Sequence, residues 1–192
     1  GWIFAAASLA FAGALCALAL VPSDAPKRLA VAAKSTAHVI ASRSSRAELV
    51  FAAGEVLVDG KAGSMDRRAL RHGGTVTTGA GRACFTIDPA IDVCLAEGTK
   101  VVLESLAASS VRIRVDGGLA LASLSRRKPG SSFSLLAGGL AATARGTIFS
   151  VRHERDEAEV TVVEGSVQVV RGGVTAQVGA HSRVRAAFGG VL

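Results

Sequence analysis

The side chains best placed to do chemistry together are two cysteines. Cys84 and Cys94 flank Phe-Thr-Ile-Asp-Pro-Ala-Ile-Asp-Val, and folding this segment about Pro89 pairs Ile87 with Ile91, Thr86 with Asp92, Phe85 with Val93 and Cys84 with Cys94. In an oxidising compartment such a pair is expected to form a disulfide; the alternative is two small buried thiols in adjacent strands, since a directly opposed pair can impose strain on a bridge. The histidines offer less. His38, His72, His153 and His181 are far apart in sequence and the chain has no His-x-x-x-His or Cys-x-x-Cys, so no metal site is read. Gly79-Ala-Gly81-Arg82 lacks the Lys-Ser/Thr of a phosphate loop and the third glycine of a dinucleotide loop, and it precedes a strand rather than a helix. There is no Gly-x-Ser-x-Gly nucleophile elbow, and Asp156, Glu157 and Glu159 read as a solvated hairpin loop. The chain reads as a non-enzyme with no cofactor, metal or small-molecule substrate.

The elements that position these residues are short and β-rich. After Arg46 the sequence becomes runs of β-branched residues broken by glycines: Leu49–Ala52, Val56–Val58, Thr75–Thr78, Ala83–Ile87, Val93–Ala96, Lys100–Leu103, Val111–Val115 and Leu119–Ala122. Further runs are Phe133–Ala137, Leu140–Ala144, Thr147–His153, Glu159–Val163, Ser166–Val170, Val174–Val178 and Ser182–Ala186. In Val111-Arg-Ile-Arg-Val115 apolar and charged side chains alternate, as a half-buried strand requires. Many short strands with turn residues between them predict an all-β sandwich or jelly-roll-like domain, or a short β-solenoid. A loose motif of glycine followed by alternating aliphatics recurs at Gly54, Gly98, Gly118 and Gly165, at irregular spacing.

The first 21 residues carry no charged side chain, and the net charge of +7 lies wholly after Val21. From Trp2 to Val21 the run is apolar or small, and as a helix rising about 1.5 Å per residue it spans roughly 30 Å, the thickness of a bilayer's hydrocarbon core. Residues 1–21 are therefore read as an uncleaved transmembrane helix, with a cleaved signal peptide as the second reading: the run is longer than a signal peptide's apolar region, and the Ser23-Asp-Ala25 triplet is followed by Pro26. Cys16 follows Leu15, where a lipid-attachment signal wants a small residue. A chain opening at Gly1 without a basic flank reads as part of something longer, which leaves the charge rule for orientation without its second flank. Residues 22–46, rich in Ala, Ser, Lys and Arg, read as a linker, and 47–192 as one β domain.

The 22 basic residues raise the question of nucleic acid, but they are scattered through strands and loops. The compact run Arg126-Arg-Lys128 precedes Pro129-Gly130 in a loop, and no aromatic rings accompany the basic residues for stacking. No nucleic-acid surface is read.

One pair of motifs is specific. Gly146-Thr147-Ile-Phe149-Ser-Val151 is followed by Glu164-Gly165-Ser-Val167. Together with the opening Gly54-Glu-Val-Leu-Val58, Gly74-Thr-Val-Thr-Thr78-Gly79, Ala83 to Leu95, Gly118-Leu-Ala-Leu121 and Phe133-Ser-Leu, it resembles the FecR domain, found on the periplasmic side of inner-membrane regulators that act with extracytoplasmic-function sigma factors. The resemblance spans most of Ala47 to Val184, and it implies an inner-membrane location with the β domain in the periplasm, where Cys84 and Cys94 are oxidised. It implies a signalling module that relays an envelope signal by protein contact, its partners a receptor's signalling domain and a sigma factor. The alternative is an envelope-structural module, or one that binds carbohydrate or anionic polymer. The chain departs from the family in having Asp88-Pro-Ala where an Asp-Gly turn is common. Gly146, Thr147, Phe149, Val151, Glu164, Gly165 and Val167 are read as structural: Gly146 and Thr147 for a tight turn, Phe149 and Val151 for the core, Glu164-Gly165 for a hairpin returning through Val167.

Overall fold

The computed structural model describes residues 44–62, 68–125 and 129–188. The membrane helix read over 1–21 and the linker up to residue 43 lie outside the described residues, as does Arg126-Arg-Lys128. Among the described residues no helix is long and apolar enough to cross a membrane.

Among the described residues, alternating apolar residues set between glycine turns produce sixteen strands. They are β1 Ala47–Ala53, β2 Val56–Val58, β3 Lys61–Ala62, β4 Arg68–Leu70, β5 Thr75–Thr78, β6 Arg82–Ile87, β7 Ile91–Leu95, β8 Lys100–Ala107, β9 Ser110–Leu124 and β10 Ser132–Ala137. After them come β11 Leu140–Ala144, β12 Ile148–Glu154, β13 Glu157–Glu164, β14 Ser166–Arg171, β15 Val174–Gly179 and β16 Ser182–Ala187. A 3₁₀ turn, Asp88–Ala90, joins β6 to β7. All sixteen strands belong to one mixed hydrogen-bonded network, and β9 stands at its centre.

The sequence reads β9 as two strands, and the structure corrects this to one strand of 15 residues. Its first half, Ser110–Gly117, pairs with β8 and β10; its second half, Gly118–Leu124, pairs with β7 and β12. The first half anchors an arm ordered β3-β2-β5-β8-β9-β10-β11-β14-β15, and the second an arm ordered β4-β1-β6-β7-β9-β12-β13-β16. Each arm buries one face: β10 and β11 expose and bury residues alternately, as do β6 and β7. The buried faces meet. Phe133 of β10 and Phe149 of β12 belong to strands that do not pair, yet their rings pack edge to face with centroids 6.2 Å apart. A single apolar core contains Leu49, Phe85, Ile87, Ile91, Leu103, Ile113, Phe133, Leu135 and Phe149.

The two arms form one open mixed sheet. Neighbouring strands of a solenoid run parallel, whereas among the described residues β9 and β10 alone pair in parallel. Parallel neighbours need a long crossover; here the second half of β9, lying in the other arm, supplies it. Residues just ahead of β1 also join the sheet. Ser44 forms a bridge to Ala107, the Ser45 amide donates to the Leu106 carbonyl at 2.6 Å, and the Arg46 amide donates to Asp88 Oδ1 at 3.0 Å.

Candidate interaction surface

Phe149, Val151 and Val167 of the signature motifs are fully buried between the arms. The turns beside them are not hairpins, which corrects the sequence reading of Glu164-Gly165. β13 lies in one arm and β14 in the other, and the two do not pair. Between them Gly165 takes φ +81°, and a Cβ there would sit 2.8 Å from the Gly146 carbonyl oxygen and 3.0 Å from Thr147 Oγ1. Gly146-Thr147 in turn carries the chain from β11 to β12, from the first arm to the second. The motif pair is thus two adjacent corners crossing in opposite directions. Thr147, buried, fastens them: its hydroxyl donates to the Ser166 carbonyl at 3.1 Å, and its own carbonyl accepts the Leu124 amide at 3.0 Å. Glu164 is exposed at the end of β13.

The glycine motifs that recur at irregular spacing have the same geometry. Gly54, Gly98 and Gly118 each stand where the chain changes arm. At Gly118 (φ +85°) a Cβ would come within 2.6 Å of Thr99 Cα. Thr99 Oγ1 accepts the Leu119 amide at 3.0 Å and donates to the Leu119 carbonyl at 3.2 Å. Thr78 does the same for the preceding corner, donating to the Ala96 carbonyl at 2.6 Å and accepting the Thr99 amide at 2.9 Å. These hydroxyls replace strand partners that the backbone loses at a corner.

Cys84 and Cys94 face each other in the β6–β7 register, with Cα atoms 4.1 Å apart, and their sulfurs are joined. Both are half-buried on the outer face of the second arm. Across the register lie Phe51 on one side and Leu121 on the other, 47 % and 39 % exposed. The result is an apolar strip on a face turned to solvent.

The same outer face carries a charged groove of about 960 Å³ lined by Arg152, Glu154, Arg155, Glu157, Glu159, Arg183 and Arg185. Glu157 and Glu159, read from the sequence as loop residues, lie on β13; Arg152 and Glu154 come from β12, Arg183 and Arg185 from β16. Arg185 bonds Glu159 and lies 3.5 Å from Glu157, while Arg152 bonds Glu154 at 3.1 Å. The hydrogen bond from Arg185 holds the Glu159 carboxyl below its ordinary value of 4.5 and raises the Arg185 guanidinium, with Arg183 adding to the pull on Glu159. Each carboxylate of the groove faces arginine, and no nucleophile stands among them, so the arrangement suits recognition of a polar surface. It is invisible in the sequence because its residues are spread from 152 to 185 and meet only through the register of three strands.

The histidines do not converge. His153 Nδ1 donates to the Val115 carbonyl at 2.7 Å, and its ring packs edge to face on Phe188; His72 and His181 are exposed in turns, and His38 lies outside the described residues. No group of metal-binding side chains forms among the described residues.

Two facing arms sharing one central strand, closed by threonine-fastened corners, define an all-β domain. Residues 74–168, just under half of the chain, match the family model described as FecR protein. The match contains both signature motifs and most of the corners. Two crystal structures of a candidate anti-sigma factor from Parabacteroides distasonis are similar. One has 16 % identity and a TM-score of 0.53, covering 59 % of this chain and 54 % of its own. The other has 17 % identity and a TM-score of 0.52, covering 58 % and 53 %. The chain thus spans about half the length of these structures, and the likeness is one of fold. No curated protein matches the chain.

Proposed function

We propose that this chain is a non-enzymatic, single-pass inner-membrane regulator whose periplasmic FecR-like domain relays an envelope signal by protein contact to an extracytoplasmic-function sigma factor. The observation that carries this reading is the family match over residues 74–168; the fold shared with a candidate anti-sigma factor supports it. The upstream partner is the signalling domain of an outer-membrane receptor, and the apolar strip of Phe51 and Leu121 beside the charged groove suits such a contact.

Binding to anionic polymers is less well supported. On the outer face of the first arm Arg112 and Arg114 both pair with Glu104, at 3.5 and 2.9 Å, and Arg114 and Lys100 both reach Asp116. Those cations already have counter-charges.

The test is a crosslinked pull-down of the full-length protein from gently solubilised native membranes, read by mass spectrometry. Recovery of a sigma factor or a receptor's signalling domain supports the proposal. Recovery of only the protein itself with cell-wall material overturns it.

A further inference from the structure

Sheet proteins protect their edge strands, because a row of unpaired backbone groups invites another strand. Among the described residues four strands have a neighbour on one side only: β3 and β15 in the first arm, β4 and β16 in the second. Three of them are blunted. β3 has two residues, one of them Lys61; β4 has three and carries Arg68; β16 carries Arg183 and Arg185. β15 has no such device. It is six residues long, pairs with β14 without a bulge from Ser166↔Gly179 to Arg171↔Val174, and its sequence Val174-Thr-Ala-Gln-Val-Gly179 contains neither charge nor proline. Its Val174 is 72 % exposed.

The occupant of this edge follows from its own pattern. Ala176 and Val178 lie opposite Val169 and Val167, whose side chains are buried, so Val174, Ala176 and Val178 face the core side and Thr175 and Gln177 face outward. Set antiparallel to a second copy about a two-fold axis at Ala176, the strand opposes Val174 to Val178 of the second copy and Thr175 to Gln177 of the second copy. Apolar then meets apolar, polar meets polar, and the core faces of both sheets stay on one side. A two-fold register of this kind on β16 would bring arginines of the two copies together.

We propose that β15 is a homodimerisation edge, through which two copies of this chain join their first arms by antiparallel pairing centred on Ala176. The contact is isologous, so it closes at two copies.

The test uses the full chain with Cys16→Ser, so that a cysteine introduced on β15 is its free thiol. Directly opposed residues on antiparallel strands bring their Cβ atoms to roughly 4.5 to 5.5 Å, within reach of oxidative crosslinking. Ala176→Cys should give a reducible dimer under mild oxidant. Thr175→Cys alone should not, whereas an equal mixture of Thr175→Cys and Gln177→Cys chains should. Crosslinking of Ala176→Cys no better than that of a cysteine at Ser182 overturns the proposal, and so does Thr175→Cys alone matching the mixture. Independently of folding in any cysteine variant, the unaltered chain should show a monomer–dimer equilibrium by sedimentation. Ala176→Lys, which sets two ammonium groups opposite each other, should weaken it about fivefold. A sedimentation profile that stays monomeric as concentration rises overturns the proposal as well. None of these readouts involves a sigma factor, so they stand or fall apart from the regulatory reading.

Discussion

Gly165 is the residue at which backbone freedom and close packing coincide. Its φ is +81°, and an alanine methyl there would meet the Gly146 carbonyl oxygen at 2.8 Å, so Gly165→Ala is costly on both counts. We expect a loss of about 1 to 3 kcal/mol, measured as a lowered urea midpoint at unchanged slope. Thr147→Val keeps the shape and removes the donor to the Ser166 carbonyl, so it should cost roughly 1 kcal/mol in the same assay. Glu159 gives a pH-dependent counterpart. Because Arg185 favours its charged form in the folded chain, its contribution to stability is present above the ordinary value of 4.5 and fades as pH falls through the lowered folded value. Glu159→Gln should therefore be less stable than the parent at neutral pH, with the deficit narrowing at a pH well below 4.5. Equal deficits at both pH values would show that the carboxylate's charge plays no part.

At the scale of elements, the β6–β7 hairpin offers a direct check. Under denaturing, non-reducing conditions the three cysteines of the chain should titrate as one free thiol, Cys16. Three free thiols would show the bridge absent. Reducing it should lower stability by at most about 3 kcal/mol, since the loop it closes is short. This hairpin was legible in the sequence because Pro89 sets its midpoint and every pairing around it follows from a period of two. The strands of the core were legible for the same reason: Phe149-Ser-Val151 and Val167-Gln-Val169 announce a buried face. The corners were not. A glycine between two β runs reads alike whether the next strand pairs with the last or crosses to the other arm, so Glu164-Gly165 passed for a hairpin and Gly117-Gly118 for a break in β9. What decides is the partner of each strand, which is a long-range property. β3 and β4, of two and three residues, are too short to show a period at all.

For the whole molecule, the net charge of +7 predicts some attraction to anionic polymers at low ionic strength, but one carried by dispersed cations, several of which already face carboxylates. That attraction should collapse between low and physiological salt, as the screening length shrinks to about 8 Å, while a shape-matched protein contact loses much less. Titrating salt against binding to a polyanion and to a recovered protein partner compares the two directly. The charged groove escaped the sequence for a reason that belongs to this scale: three strands had to be laid side by side before residues 152 and 185 became neighbours.

The shared strand has a mechanical consequence. Since β9 holds the middle of both arms, with neighbours on either side in each, a load applied to one layer passes along a continuous covalent backbone into the other. Neither layer can slide or peel away as a separate plate without tearing ladders from the same strand. A tug at Ser44, bridged to Ala107 at the end of β8, is therefore shared by both layers and not by one alone.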